Sequence, residues 1–99
     1  MAKKYKINIS FNAQKDLEHI FYYIADDSIN NAKNFILELE EKIYSLNAMP
    51  ERFALIPENI FFDTNYRHIT HKNYRVIYKI CGDAIYILRV VHGAKLIEL

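Results

Sequence analysis

The thirty residues from Tyr66 to Lys95, YRHITHKNYRVIYKICGDAIYILRVVHGAK, constrain this chain more than any other stretch. β-Branched and aromatic side chains dominate it, and a single turn signal, Cys81-Gly82-Asp83, interrupts the run. That pattern predicts a β-hairpin, with Gly82 supplying the positive φ of a tight turn. A two-residue Gly82-Asp83 loop sets Cys81 opposite Ala84, Tyr78 opposite Ile87 and Val76 opposite Arg89. Arg75, Ile77, Lys79, Tyr86, Leu88, Val90 and His92 then line one side, because directly opposed side chains share a face. Tyr74, Val76, Tyr78, Ile85, Ile87, Arg89 and Val91 line the other. Both faces are largely apolar, which puts the hairpin at the centre of a sheet covered on at least one side.

Upstream, Lys4 to Phe11 alternates, with Tyr5, Ile7, Ile9 and Phe11 against Lys4, Lys6, Asn8 and Ser10, as a half-buried strand does. Ser10 or Asn12 can cap a helix over Ala13 to about Ala25, where Leu17, Ile20, Phe21 and Ile24 recur at helical spacing. Asp26, Asp27 and Ser28 break that period and can cap a second helix over Asn30 to Asn47. Its apolar set is Ala32, Phe35, Ile36, Leu39, Ile43 and Leu46. So short a break folds the two helices into an antiparallel hairpin. Glu38, Glu40, Glu41 and Lys42 read as its solvated face. Met49-Pro50 ends the second helix, since the residue before proline is pushed out of the α region. Glu51 to Asn65 reads as irregular. Within it Ile60-Phe61-Phe62 is either a core plug or an exposed docking surface. Tyr66 to His71 is a strand, and Lys72-Asn73 a two-residue turn. The expected fold is α+β in the order β-α-α-β-β-β: an N-terminal strand and a helical hairpin packed on a twisted, mainly antiparallel four-stranded sheet.

With 99 residues the chain suits one domain, 1–99, with a single modest core. A formal net charge of +1 excludes a protein that coats nucleic acid by bulk charge, though not one with a local basic patch. The one cysteine, Cys81, cannot form an internal disulfide and fits a reducing, cytoplasmic setting; its place in the turn suggests a structural or incidental role. MAKKYKINIS has no apolar run of signal-peptide or membrane-span length.

No metal-ligand spacing stands out, and no cofactor is expected. His68 and His71 are three apart, which on a strand sends them to opposite faces. Phosphate-cradling glycine loops and nucleophile elbows are absent from the sequence. What remains is a concentration of Arg67, His68, His71, Lys72, Arg75, Lys79, Arg89, His92 and Lys95 in the last third. It is either ordinary solvated charge at strand ends or a surface for an anionic partner. Tyr74-Arg75 and Tyr78-Lys79 set rings beside cations, as stacking and phosphate pairing require. His92, at a strand end before Gly93, is either an acid–base group titrating near neutrality or a structural histidine.

The segment NYRVIYKI, Asn73 to Ile80, followed by IYILRVVHGA, Ile85 to Ala94, resembles the signature of the RelE/ParE toxin superfamily of type II toxin–antitoxin modules. The order and length of the earlier segments agree with it, so the likeness covers nearly the whole chain. RVVHGA is most similar to the ParE branch, whose members poison DNA gyrase. The RelE branch instead cleaves mRNA in the ribosomal A site. It uses basic residues and, in many members, a C-terminal tyrosine. Arg75 matches the arginine of that branch's YR motif, and Lys95 stands where nucleases tend to have arginine. The tyrosine has no counterpart, and ENIFFDTN replaces a loop that is often lysine-rich in nucleases.

The resemblance therefore implies a gyrase-directed toxin binding its target through Arg67, Arg75, Lys79, Arg89, His92 and Lys95. Its alternative is a ribosome-dependent mRNA endonuclease with Arg75, His92, Lys95, His71 and His68 as catalytic groups. A third reading is an inactive or non-toxic binding module of the same fold. It also implies a cognate antitoxin and a hetero-oligomer. The antitoxin would seat on Ile60, Phe61, Phe62, Leu96, Ile97 and Leu99, covering Arg75, His92 and Lys95.

Overall fold

The computed structural model describes residues 4–93, so expectations about Lys95, Leu96, Ile97 and Leu99 lie outside the described residues. The order is β1 (Lys6–Ile9), α1 (Phe11–Ala25), α2 (Ile29–Tyr44), α3 (Asn59–Phe62), β2 (Arg67–His71), β3 (Tyr74–Cys81) and β4 (Ala84–His92). Two 3-10 turns, Ser45–Asn47 and Pro50–Arg52, follow α2. The strands form one sheet in the order β1-β4-β3-β2, with β1 parallel to β4 and the other pairs antiparallel. The expected α+β architecture is thus the observed one.

Local chemistry explains each boundary. Ser10 caps α1, its hydroxyl accepting from the Ala13 N–H at 3.0 Å, so the helix starts at Phe11, before the expected Ala13. Ser28 caps α2 in the same way, accepting from Asn31 N–H at 3.2 Å. Ala13, Ile20, Leu39, Ile43 and Leu46 close onto Ile69, Val76, Tyr78, Ile85, Ile87 and Val90 to make the main core. Tyr78 is fully buried, and its hydroxyl donates to the Pro50 carbonyl at 2.6 Å. Burial pushes that hydroxyl's pKa up to about 12.

The hairpin expected around Gly82 forms, with Cys81 opposite Ala84 and Tyr78 opposite Ile87. Gly82 takes a φ of 62°. Beyond Tyr78 the expected register fails. A β-bulge at Ile77/Tyr78 makes Leu88 an extra residue, so Arg89 faces Ile77 and Val90, not Arg89, faces Val76. The start of α1 holds this irregularity. The Ser10 hydroxyl donates to the Leu88 carbonyl at 3.0 Å. Asp16 accepts from the Val90 N–H and from Arg89 Nε, both at 2.8 Å, and from Arg89 Nη2 at 3.0 Å.

The expected faces are therefore corrected past the bulge. Val90 and His92 turn to the helix side with Val76 and Tyr74, while Val91 turns to the far side with Arg75. That far side is covered by the segment between the second 3-10 turn and β2. Leu55 bridges to Arg67, His68 N–H donates to Ala54 O and Ile56 N–H to Tyr66 O, each at 3.0 Å. Ile56, Ile77 and Val91 form a second small core there, with Tyr66 and Leu88 against it. The stretch expected to be irregular contains α3, a helical turn too short to show a period.

Candidate functional site

The bulge separates the cations that the sequence grouped. Arg75 and His92 were expected on one face, but the register puts them on opposite sides of the sheet. On the helix side, the Tyr74 ring meets both His92, at 5.6 Å, and Phe35, at 5.5 Å. The His71 ring lies 5.4 Å from Phe35, and its Nε2 is 2.7 Å from a Glu38 carboxylate oxygen. Lys72 approaches the same carboxylate at 3.4 Å. Glu38 is therefore a bridge between α2 and β2 more than a solvated charge. These contacts hold its carboxyl below the usual range, the His71 hydrogen bond most of all.

On the far side, Arg75 and Glu58 are both buried, at 4% and 2% exposure. Arg75 Nη1 donates to Glu58 Oε1 at 2.9 Å, and Nη2 to Oε2, making a two-pronged ion pair. His68 Nδ1 lies 3.5 Å from Arg75 Nη1. Burial, and then the Arg75 charge, lowers the His68 pKa, favouring the neutral imidazole near neutral pH. His68 and His71 lie on opposite faces, as the strand period requires.

The other cations have partners as well. Arg67 donates to the Phe53 carbonyl at 2.6 Å. Arg89 is tied to Asp16, whose hydrogen bonds raise its pKa. Lys79 differs: its ammonium stands 5.5 Å from the Tyr86 ring centroid, and no carboxylate pairs with it among the described residues. Tyr78, its sequence neighbour, faces the core, so the stacking ring beside Lys79 is Tyr86 across the sheet.

The Ile60-Phe61-Phe62 question resolves toward exposure. These residues are 83%, 79% and 38% exposed on α3, so they do not plug the core. Among the described residues, no three His, Cys, Asp or Glu side chains gather as a metal ion requires. Cys81 is exposed and free. No helix among the described residues is long and apolar enough to cross a membrane. The sequence reading missed Glu58 and Asp16. Neither carries a local signal, because their arginine partners lie 17 and 73 positions away.

Residues 7–97 match the family model described as the ParE toxin of the type II toxin–antitoxin system parDE. A search of curated protein sequences returned no match. Among solved structures, the chain superposes on one from the chromosomal ParDE toxin–antitoxin system of P. aeruginosa with a TM-score of 0.75. The identity is 18%, over 90% of this chain and 96% of that one. A chain of the RelBE2 toxin–antitoxin complex of Mycobacterium tuberculosis gives a TM-score of 0.69, also at 18% identity, over 94% and 95%. At this identity both likenesses speak for the fold alone.

Proposed function

This chain belongs to the ParE toxin family of type II toxin–antitoxin systems, and from that premise we propose that it arrests growth by engaging DNA gyrase, not by cutting RNA. The Arg75–Glu58 pair carries this reading. A nuclease of this fold must set free positive charge against the scissile phosphate, because charge stabilisation there is the largest catalytic term available. In this chain the Glu58 carboxylate already neutralises the guanidinium that matches the nuclease motif. His92 stands across the sheet from it, and the nearby His68 favours its neutral form. A surface-acting poison needs no convergent acid–base pair. It needs a stable presenting scaffold, which the two-sided sheet provides.

A cognate antitoxin neutralises the toxin by covering its working surface, in the cytoplasm where gyrase acts. The match to the toxin family of parDE modules and the exposed α3 residues support that partnership. The test is purified protein with gyrase, ATP and supercoiled plasmid, run beside programmed ribosomes. The expected result is gyrase-dependent DNA cleavage with intact mRNA. Ribosome-dependent mRNA cuts that vanish in Arg75→Ala would overturn the proposal in favour of the endonuclease reading. Unaffected growth on expression without antitoxin, together with no activity in either assay, would leave a binding module.

A further inference from the structure

Away from the Glu58–Arg75 pair, a recess of about 340 Å³ opens on the helix side of the sheet. The last turn of α1, the first half of α2, the β2–β3 turn and the ends of β3 and β4 wall it, through Tyr23, Ile24, Phe35, Asn73, Tyr74 and His92. That size suits a small molecule. The Tyr74 ring meets Phe35 at an interplanar angle of 65° and His92 at 73°. Rings set so nearly at right angles make a corner, which offers more than one π face to a compact group. A planar ligand would instead need one broad face laid parallel to it.

The charge around the recess is negative on balance. Asp26 and Asp27 lie to one side of it, across Tyr23 and Ile24, and neither pairs with a basic side chain among the described residues. The helix α1 ends there with no basic residue in its last turn, so no side chain offsets the negative end of its dipole. To the other side, Lys72 and His71 share the Glu38 carboxylate. The Lys72 ammonium also stands 5.5 Å from the Phe35 ring centroid, so this ring already receives a cation from within the chain. A phosphate or carboxylate ligand would meet Asp26 and Asp27 instead.

We propose that this recess binds a small organic cation with a methylated ammonium head, of the choline type. The head sits in the corner made by Phe35, Tyr74 and His92, with Tyr23 as the outer wall, and Asp26 and Asp27 attract it from the rim. Methylation removes the hydrogen-bond donors that a bare ammonium would have to satisfy among these rings. Lys72 is the competitor built into the chain, since it occupies a face of Phe35 and repels a second positive charge. The inference stands whether or not the protein engages gyrase.

The test is an NMR titration of the full chain at fixed ionic strength with choline, with dimethylbutanol as its uncharged carbon isostere, and with adenosine. Saturable amide shifts at Tyr23, Phe35, Tyr74 and His92 are expected with choline, and about tenfold weaker binding of the isostere. Tyr23→Ala, at a side chain 78% exposed, should keep the wild-type melting temperature and weaken choline binding about fivefold. Lys72→Asn should tighten it about threefold by removing the resident cation. Asparagine accepts the left-handed φ of 53° at that position. Choline and isostere binding alike, or the absence of saturable shifts at these four residues, overturns the proposal. Unchanged choline affinity in folded Tyr23→Ala, or no gain in Lys72→Asn, does the same. Adenosine binding more tightly than choline identifies a base-stacking recess and overturns it as well.

Discussion

On the helix side of the sheet, Leu39, Ile43 and Leu46 pack with Val76, Ile85 and Ile87 in a large apolar cluster. Among the described residues, the far side has Ile56, Ile77 and Val91 as its buried cluster, supplemented by the Glu58–Arg75 pair and the Asn59 bonds to Tyr66. Trimming a packed apolar core costs the lost transfer energy plus the cavity left behind. Removing one partner of a buried ion pair costs for a different reason, because it strands the other charge in a low-dielectric site. Such a pair holds its segment to one geometry more firmly than it stabilises it.

The largest test of this contrast is Glu58→Ala, expected to cost about 3–5 kcal/mol in denaturant unfolding by leaving Arg75 without its carboxylate. Glu58→Leu with Arg75→Met should recover most of that loss, and a double variant as unstable as the single one would break the comparison. Next comes the helix side's own polar group. Tyr78 ionises at about 12 in the folded protein against 10.0 in the unfolded chain. The unfolded state releases its proton first, so stability is full below pH 10 and is lost as pH rises through about 12. The loss is on the order of 2–3 kcal/mol. Tyr78→Phe should abolish that alkaline slope while costing about 1 kcal/mol at neutral pH through the hydrogen bond to Pro50.

Asp16→Ala is expected to cost about 1–3 kcal/mol and to speed amide exchange at Val90, since one carboxylate holds both that N–H and Arg89. Unchanged exchange at Val90 would mean that the bulge is set by the strands alone. The smallest effect belongs to His68. Its folded pKa lies below the ordinary 6.5, so the unfolded state binds the proton more readily. Stability is therefore undiminished above that pH and declines as pH falls below it toward the folded value. His68→Gln should flatten that decline, measured as melting temperature between pH 7.5 and 5.5.

Much of the fold was legible because it repeats. The alternation of β1, the helical spacing of Leu17, Ile20 and Ile24, and the Gly82 turn each carry their own period or residue signature. The bulge carried none. Leu88 is one apolar residue among several, and nothing near it marks it as extra. Reading Val76 opposite Arg89 followed from a perfect ladder, and one inserted residue then exchanged the faces of Val90, Val91 and His92. The candidate site was less legible than the fold because it is defined by partners. Arg75 looked like a surface cation until Glu58 was seen against it, and Lys79 stands out only by comparison with its paired neighbours.

The parallel pairing of β1 with β4 has a consequence for synthesis. Lys6 to Ile9 pairs along the sheet with Ala84 to Ile87, and Asp16 waits for Arg89 and Val90. During translation the first strand therefore emerges from the ribosome with nowhere to dock until the last hairpin has left the exit tunnel. A nascent chain therefore stays without its full sheet until its last hairpin is made.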